Sequence, residues 1–114
     1  GNVKLSGIDR QINKPETGSA NLIPIAYGNV TATGGVNAST GNFTVVWNNV
    51  LLRYEITING EAFQFQNYIV NVTPIGTSPV IVSSSSVSNK LIISMNSILG
   101  VNISSAFQFT VYKP

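Results

Sequence analysis

Histidine and cysteine are both absent from this chain. Without histidine there is no Ser-His-Asp triad, no general base poised near neutral pH, and none of the commonest metal ligand. Without cysteine there are no disulfides and no thiolate metal sites. Charge is scarce as well. Lys and Arg number 6 and Asp and Glu 4, so charged residues make up 9% of the 114 residues, against about 25% in an average soluble domain. The basic residues Lys4, Arg10, Lys14, Arg53, Lys90 and Lys113 are scattered, so no stripe tracks a phosphate backbone and nucleic acid is not an expected partner. No apolar run approaches the ~18 residues of a membrane span, and Gly1 leads into NVKLSG without a charged n-region or signal core. Membrane insertion is not expected. A start at glycine suits a processed chain or a fragment, with any export or assembly signal upstream.

What the chain does contain is 43% hydrophobic residues, set among Ser, Thr, Asn and Gly. One domain is expected, burying about 65% of the surface its unfolded form exposes. Its exterior should be polar but nearly uncharged, which fits an exterior setting or a surface covered by neighbouring subunits. Alternation of period two recurs in short segments, the pattern of antiparallel sheet. In NFTVVW, Phe43, Val45 and Trp47 share a face; in LRYEITI, Leu52, Tyr54, Ile56 and Ile58 oppose Arg53 and Glu55, so the two segments predict a hairpin. Tyr68, Val70 and Val72, then PVIVS, then Leu91, Ile93 and Met95, and finally Phe107, Phe109 and Val111 continue the pattern. The tract SSSSVSN reads as a loop. With NVKLS and the stretch Leu22 to Val30, this gives about eight strands, an all-β antiparallel sandwich or jelly roll.

Residues 1–20 read as an N-terminal strand and arm, a stem exit or inter-subunit contact, and residues 21–114 as the sandwich domain. Pro24 cannot donate to a ladder, which predicts a sheet edge or a bulge near the start of its strand, while Gly28 permits close backbone approach.

The succession TGSANLIPIAYGNV, STGNFTV, YEITINGE, NYIVNVTP and SAFQFTVYKP resembles the C-terminal β-sandwich at the ends of fibre-like proteins of Bacteroidetes and their phages, over about Val3 to Pro114. The resemblance implies a tip domain on a fibre stem, commonly trimeric, at a virion or cell surface, which binds a host-surface glycan or protein receptor and converts nothing. It casts GNVKLSG as the last turn of a stem. The sequence departs from the pattern at VWNNVLLRY, where a small polar tip with glycine just before the tyrosine is expected and Trp47, Val50, Leu51 and Leu52 surround Asn48 and Asn49 instead.

The inventory for catalysis is thin. A glycosidase needs two carboxyl groups about 5 to 9.5 Å apart, and Glu55 and Glu61 are the pair nearest in sequence; an exposed strand face and the Asn59-Gly60 turn account for them as well. A Ser-Lys dyad would have to use Lys90 beside the serine tract, with no oxyanion motif in view. No Asp-x-Asp pattern offers a calcium site. The expectation is a non-enzyme without catalytic residues, metal or cofactor. Five Asn-x-Ser/Thr triplets, at Asn29, Asn37, Asn42, Asn71 and Asn102, are what an Asn-rich and Ser-rich chain produces by coincidence. For binding, aromatics in VWNNV and EAFQFQNY are candidates to stack on sugar rings, which makes Trp47, Asn48 and Asn49 the expected ligand residues and Val3, Leu5 and Leu51 the expected subunit contacts. The favoured reading is the non-catalytic distal domain of a homotrimeric fibre. A trimerisation cap or virion decoration, and a monomeric carbohydrate-binding module of a secreted bacterial protein, stay open beside it.

Overall fold

The computed structural model describes residues 23–114. Eight strands run in chain order as β1 (Ala26–Val30), β2 (Val36–Ser39), β3 (Phe43–Asn48), β4 (Arg53–Ile58), β5 (Ile69–Pro74), β6 (Val80–Val87), β7 (Lys90–Ser97) and β8 (Phe107–Tyr112), with a short 3-10 turn at Phe65–Asn67. They form two four-stranded sheets of order β2-β1-β8-β5 and β3-β4-β7-β6, antiparallel throughout. The protein is an all-β sandwich.

Alternation decides which side chains meet between the sheets. Tyr54, Ile56 and Ile58 of β4, Leu91, Ile93 and Met95 of β7, and Phe107, Phe109 and Val111 of β8 are all buried in one core, because residues two apart on a strand face the same side. Val45 and Trp47 of β3 pack against that core from its margin. The Phe43 and Phe109 rings meet edge-on with centroids 4.9 Å apart, crossing from one sheet to the other. Gly28 makes room for this contact, since a Cβ there would lie 2.5 Å from Phe43 Cζ. The close approach at Gly28 is made by a side-chain ring and not by another backbone.

Four features differ from the sequence reading. Ser83–Ser86 do not form a loop; they belong to β6, which pairs with β7 residue by residue from Val80↔Ser97 to Val87↔Lys90. Serine is a poor strand former only in isolation, and a hydrophobic neighbour with a fixed register overrides that preference. The connecting turn shrinks to Ser88 and Asn89, both with positive φ, at 50° and 63°, the geometry of a two-residue hairpin turn. Pro24 precedes β1 and does not mark an edge: β1 lies between β2 and β8, and the register shift in its pairing with β2 falls between Gly28 and Val30. Strand β2, VNAS, was not foreseen because it has only one large apolar residue. Leu52 leaves the core face of its neighbours and sits in the β3–β4 turn with φ 56°. The expected strand NVKLS and the whole arm at 1–20 lie outside the described residues.

Because β4 and β7 run antiparallel with Tyr54 opposite Ile93, the β3–β4 turn and the segment after β7 emerge at the same end. The β1–β2 and β5–β6 connections join them there, since Val30 and Pro74 both pair with Phe107. The other end holds the β2–β3, β4–β5 and β6–β7 connections, and Ile25 N–H donates to Val111 O at 2.8 Å there.

Candidate functional site

The outer face of the β2-β1-β8-β5 sheet is the counterpart of the alternation that built the core. Outward positions on β1 are Tyr27 and Asn29, and those on β8 are Gln108, Thr110 and Tyr112. The register sets them in rows: Tyr27 beside Thr110 and Thr110 beside Asn71, then Asn29 beside Gln108 and Gln108 beside Thr73. Neighbouring strands stand about 4.8 Å apart, so each row brings three polar side chains within reach of one small ligand. Tyr27, Gly28, Asn29, Ala38, Gln108, Phe109 and Thr110 enclose a shallow dish of about 260 Å³. Tyr27 is 48% exposed, and Asn37 Nδ2 donates to Asn29 Oδ1 at 3.4 Å, closing one side.

Among the described residues no side-chain carboxylate, ammonium or guanidinium lies on this face. Every charged side chain among the described residues is committed to an ion pair elsewhere. On the outer face of the second sheet, Arg53 Nε donates to Glu55 Oε2 at 3.0 Å and Lys90 Nζ stands 3.7 Å from Glu55 Oε1. At the sandwich end that holds the C-terminus, Lys113 Nζ lies 2.9 Å from Glu61 Oε1. Hydrogen bonds from Asn48 and then Arg53 hold the Glu55 carboxyl below the usual range; those from Tyr68 and then Lys113 do the same for Glu61. A general acid needs its pKa raised, and both carboxyls are pushed the other way. Glu55 lies within β4 and Glu61 beyond its C-terminal end, in separate networks. Lys90 is an exposed ion-pair partner and not a desolvated amine.

The Glu61 network makes a testable clasp. Tyr68 Oη donates to Glu61 Oε1 at 2.7 Å, and burial, then the hydrogen bond to Glu61, pushes the Tyr68 hydroxyl up to about 12. The pKa is higher in the folded chain than the ordinary value of 10.0, so the contribution is complete below pH 10 and is lost as pH rises toward 12. The folded pKa of Glu61 is instead depressed from 4.5, so its contribution is present above that pH and is lost in acid. In tyrosine-labelled NMR titrations Tyr68 should ionise near 12, and Glu61→Gln should lower that midpoint while leaving it above 10, because burial persists. An unchanged midpoint would remove Glu61 as a cause.

The residues expected to bind ligand are placed differently from one another. Trp47 is partly buried, its ring 4.6 Å from that of Tyr54. Asn48 is occupied: its Oδ1 accepts from Val50 N–H and Leu51 N–H at 3.0 and 2.9 Å, and its Nδ2 donates to Glu55 at 3.1 Å. Asn49 is exposed at the turn. Of the expected subunit contacts, Val3 and Leu5 lie outside the described residues, and Leu51 is 54% exposed. Around it, Val50 and Leu52 of the same turn and Ile98, Leu99 and Val101 of the neighbouring turn are exposed too, up to 86% for Leu99, giving the sandwich one apolar end. In the other stretch with candidate aromatics, Phe63 is buried and stacks on Tyr68 at 4.7 Å, and Phe65 is exposed.

Among the described residues no group of His, Cys, Asp and Glu is arranged to hold a metal ion, and no helix is long and apolar enough to cross a membrane. Of the Asn-x-Ser/Thr triplets, Asn42 is tied into the fold, donating to Ile25 O at 2.8 Å, while Asn29 and Asn71 belong to the rows of the dish face. Sequence reasoning missed this face. Its signal was present, since Tyr27, Asn29, Gln108 and Thr110 are the polar half of two alternating strands, but nothing in the sequence set those strands side by side.

Fold and site together define an all-β sandwich with a polar dish on one sheet, free of charged side chains among the described residues. No protein-family model matches the chain, and neither a curated protein nor a solved structure matches it.

Proposed function

We propose that the chain is a non-catalytic attachment domain, the distal part of a homotrimeric fibre at a virion or cell surface, which binds a receptor or glycan on a host surface. The observation that carries the binding role is the outer face of the β2-β1-β8-β5 sheet, where an exposed tyrosine, amides and hydroxyls converge on a dish that holds no charged side chain among the described residues. The fibre setting rests on the resemblance of the strand motifs.

The apolar end supports self-association. Val50, Leu51, Ile98, Leu99 and Val101 are all more than half exposed, an arrangement that costs a soluble monomer solubility and suits an interface between copies. Leu52 adds to this: a leucine with φ 56° costs of order 1 kcal/mol relative to glycine, and the chain keeps it at an exposed turn. Light scattering on the purified chain tests the reading. A mass of three chains is expected, falling toward one chain in the Leu51→Lys, Leu99→Lys double variant. A monomer in both would dismiss the trimer and favour the stand-alone binding module. Attachment is tested separately, by adhesion of the fluorescent domain to candidate host cells; a domain that adheres to none is not an attachment domain.

A further inference from the structure

We propose that the dish formed by Tyr27, Asn29, Gln108 and Thr110 is a binding site for one ring of a neutral sugar, an inference that rests on the attachment role and narrows it to a glycan. Three observations lead to this chemistry. First, no charged side chain among the described residues lies at the dish, each being engaged elsewhere, so among those residues a phosphate, sulfate, uronate or ammonium group would find no side-chain counter-charge there. Second, the available polar groups are those that read hydroxyls. The Gln108 side chain and the Thr110 hydroxyl make no hydrogen bond among the described residues, and Asn29, bonded through its Oδ1, keeps its NH₂. An amide offers a donor and an acceptor in one plane, which fits two adjacent hydroxyls of a pyranose, while a hydroxyl serves as either. Third, Tyr27 stands half exposed at the rim, where its ring can cover the C–H face of a sugar and leave its own hydroxyl in water.

Size sets the extent of the ligand. About 260 Å³ lies just under the ~300 Å³ at the low end of small-molecule pockets, enough for one terminal ring. Contact this small gives weak binding per copy, and useful affinity would come from several copies acting together.

The test is an NMR titration of the ¹⁵N-labelled chain with the methyl glycosides of glucose, galactose, mannose and N-acetylglucosamine, and with glucuronate as the charged counterpart. The expected result is saturable shifts, for at least one neutral glycoside, confined to amides of Tyr27–Asn29, Ala38 and Gln108–Thr110, with glucuronate weaker. Tyr27→Ala and, separately, Gln108→Ala should each weaken that binding at least tenfold, and Tyr27→Phe should keep most of it. Both positions are exposed, and retained dispersion of the spectrum confirms the fold. Shifts centred on Trp47–Leu52 would overturn the assignment, as would no shifts with any glycoside. If the domain still adheres to cells and Tyr27→Ala leaves adhesion unchanged, the dish assignment fails and attachment stands; if nothing adheres, attachment itself fails.

Discussion

Tyr54→Phe is expected to lower the unfolding free energy by about 2 to 3 kcal/mol, although it removes one oxygen atom. Tyr54 is fully buried. Its hydroxyl donates toward Ala32 O at 2.6 Å, lies 3.2 Å from Ser105 O, and accepts from Ser105 N–H at 3.1 Å. The variant leaves a carbonyl and an amide desolvated with no partner, and such a loss costs more than the made bond contributes. Against a total of about 5 to 15 kcal/mol for a domain, that is a large share. Urea unfolding should show the midpoint falling with the slope unchanged, and the melting temperature should drop by about 10 °C or more. A loss under about 0.5 kcal/mol would mean that water takes the hydroxyl's place, and that the joint between the two connections is wetter than its geometry implies.

Gly28→Val should destabilise by a comparable amount for a different reason. The Cβ of any side chain at position 28 would meet Phe43 Cζ at 2.5 Å and Ser39 Cβ at 3.3 Å. Phe43 cannot swing aside freely, because it is buried and its ring already meets Phe109. Overpacking of this kind costs about 1 to 3 kcal/mol, and valine's extra methyls place it at the upper end. Pairing the change with Phe43→Leu should recover about 1 kcal/mol relative to the sum of the single changes, since residues in contact couple. Simple additivity in that cycle would show that the strand shifts to accommodate the side chain and that the ring is not the obstacle.

Strands with strict alternation were legible from the sequence. Phe43, Val45 and Trp47, then Tyr54, Ile56 and Ile58, then Phe107, Phe109 and Val111 announce both their strands and their inner faces, because burial on one side leaves its mark at every second residue. Strand β2 left no such mark: Val36, Asn37 and Ala38 are all exposed, and its place comes from pairing with β1. The serines of β6 were hidden for the same reason, their order supplied by β7. Trp47 illustrates a subtler limit. Its face was evident, but whether that face met a ligand or the core depended on its neighbours, among them Tyr54 on the paired strand, whose ring it covers. The dish required one fact that alternation does not contain, that β1 and β8, from opposite ends of the chain, are neighbours. Strand order is set by the packing of the whole domain, so outward residues could be named but not assembled.

That neighbour relation also decides how the domain would bear a pull. Tyr27 and Asn29 stand on the strand that the chain enters directly from Ile23–Ile25. A tether on that side and a ligand held in the dish would load β1 along its own axis, with β8 holding it through paired residues from Ala26↔Val111 to Val30↔Phe107 and β2 gripping its other edge. The ladder bonds lie across the strand, so tension along β1 strains them together in shear and does not peel them one by one.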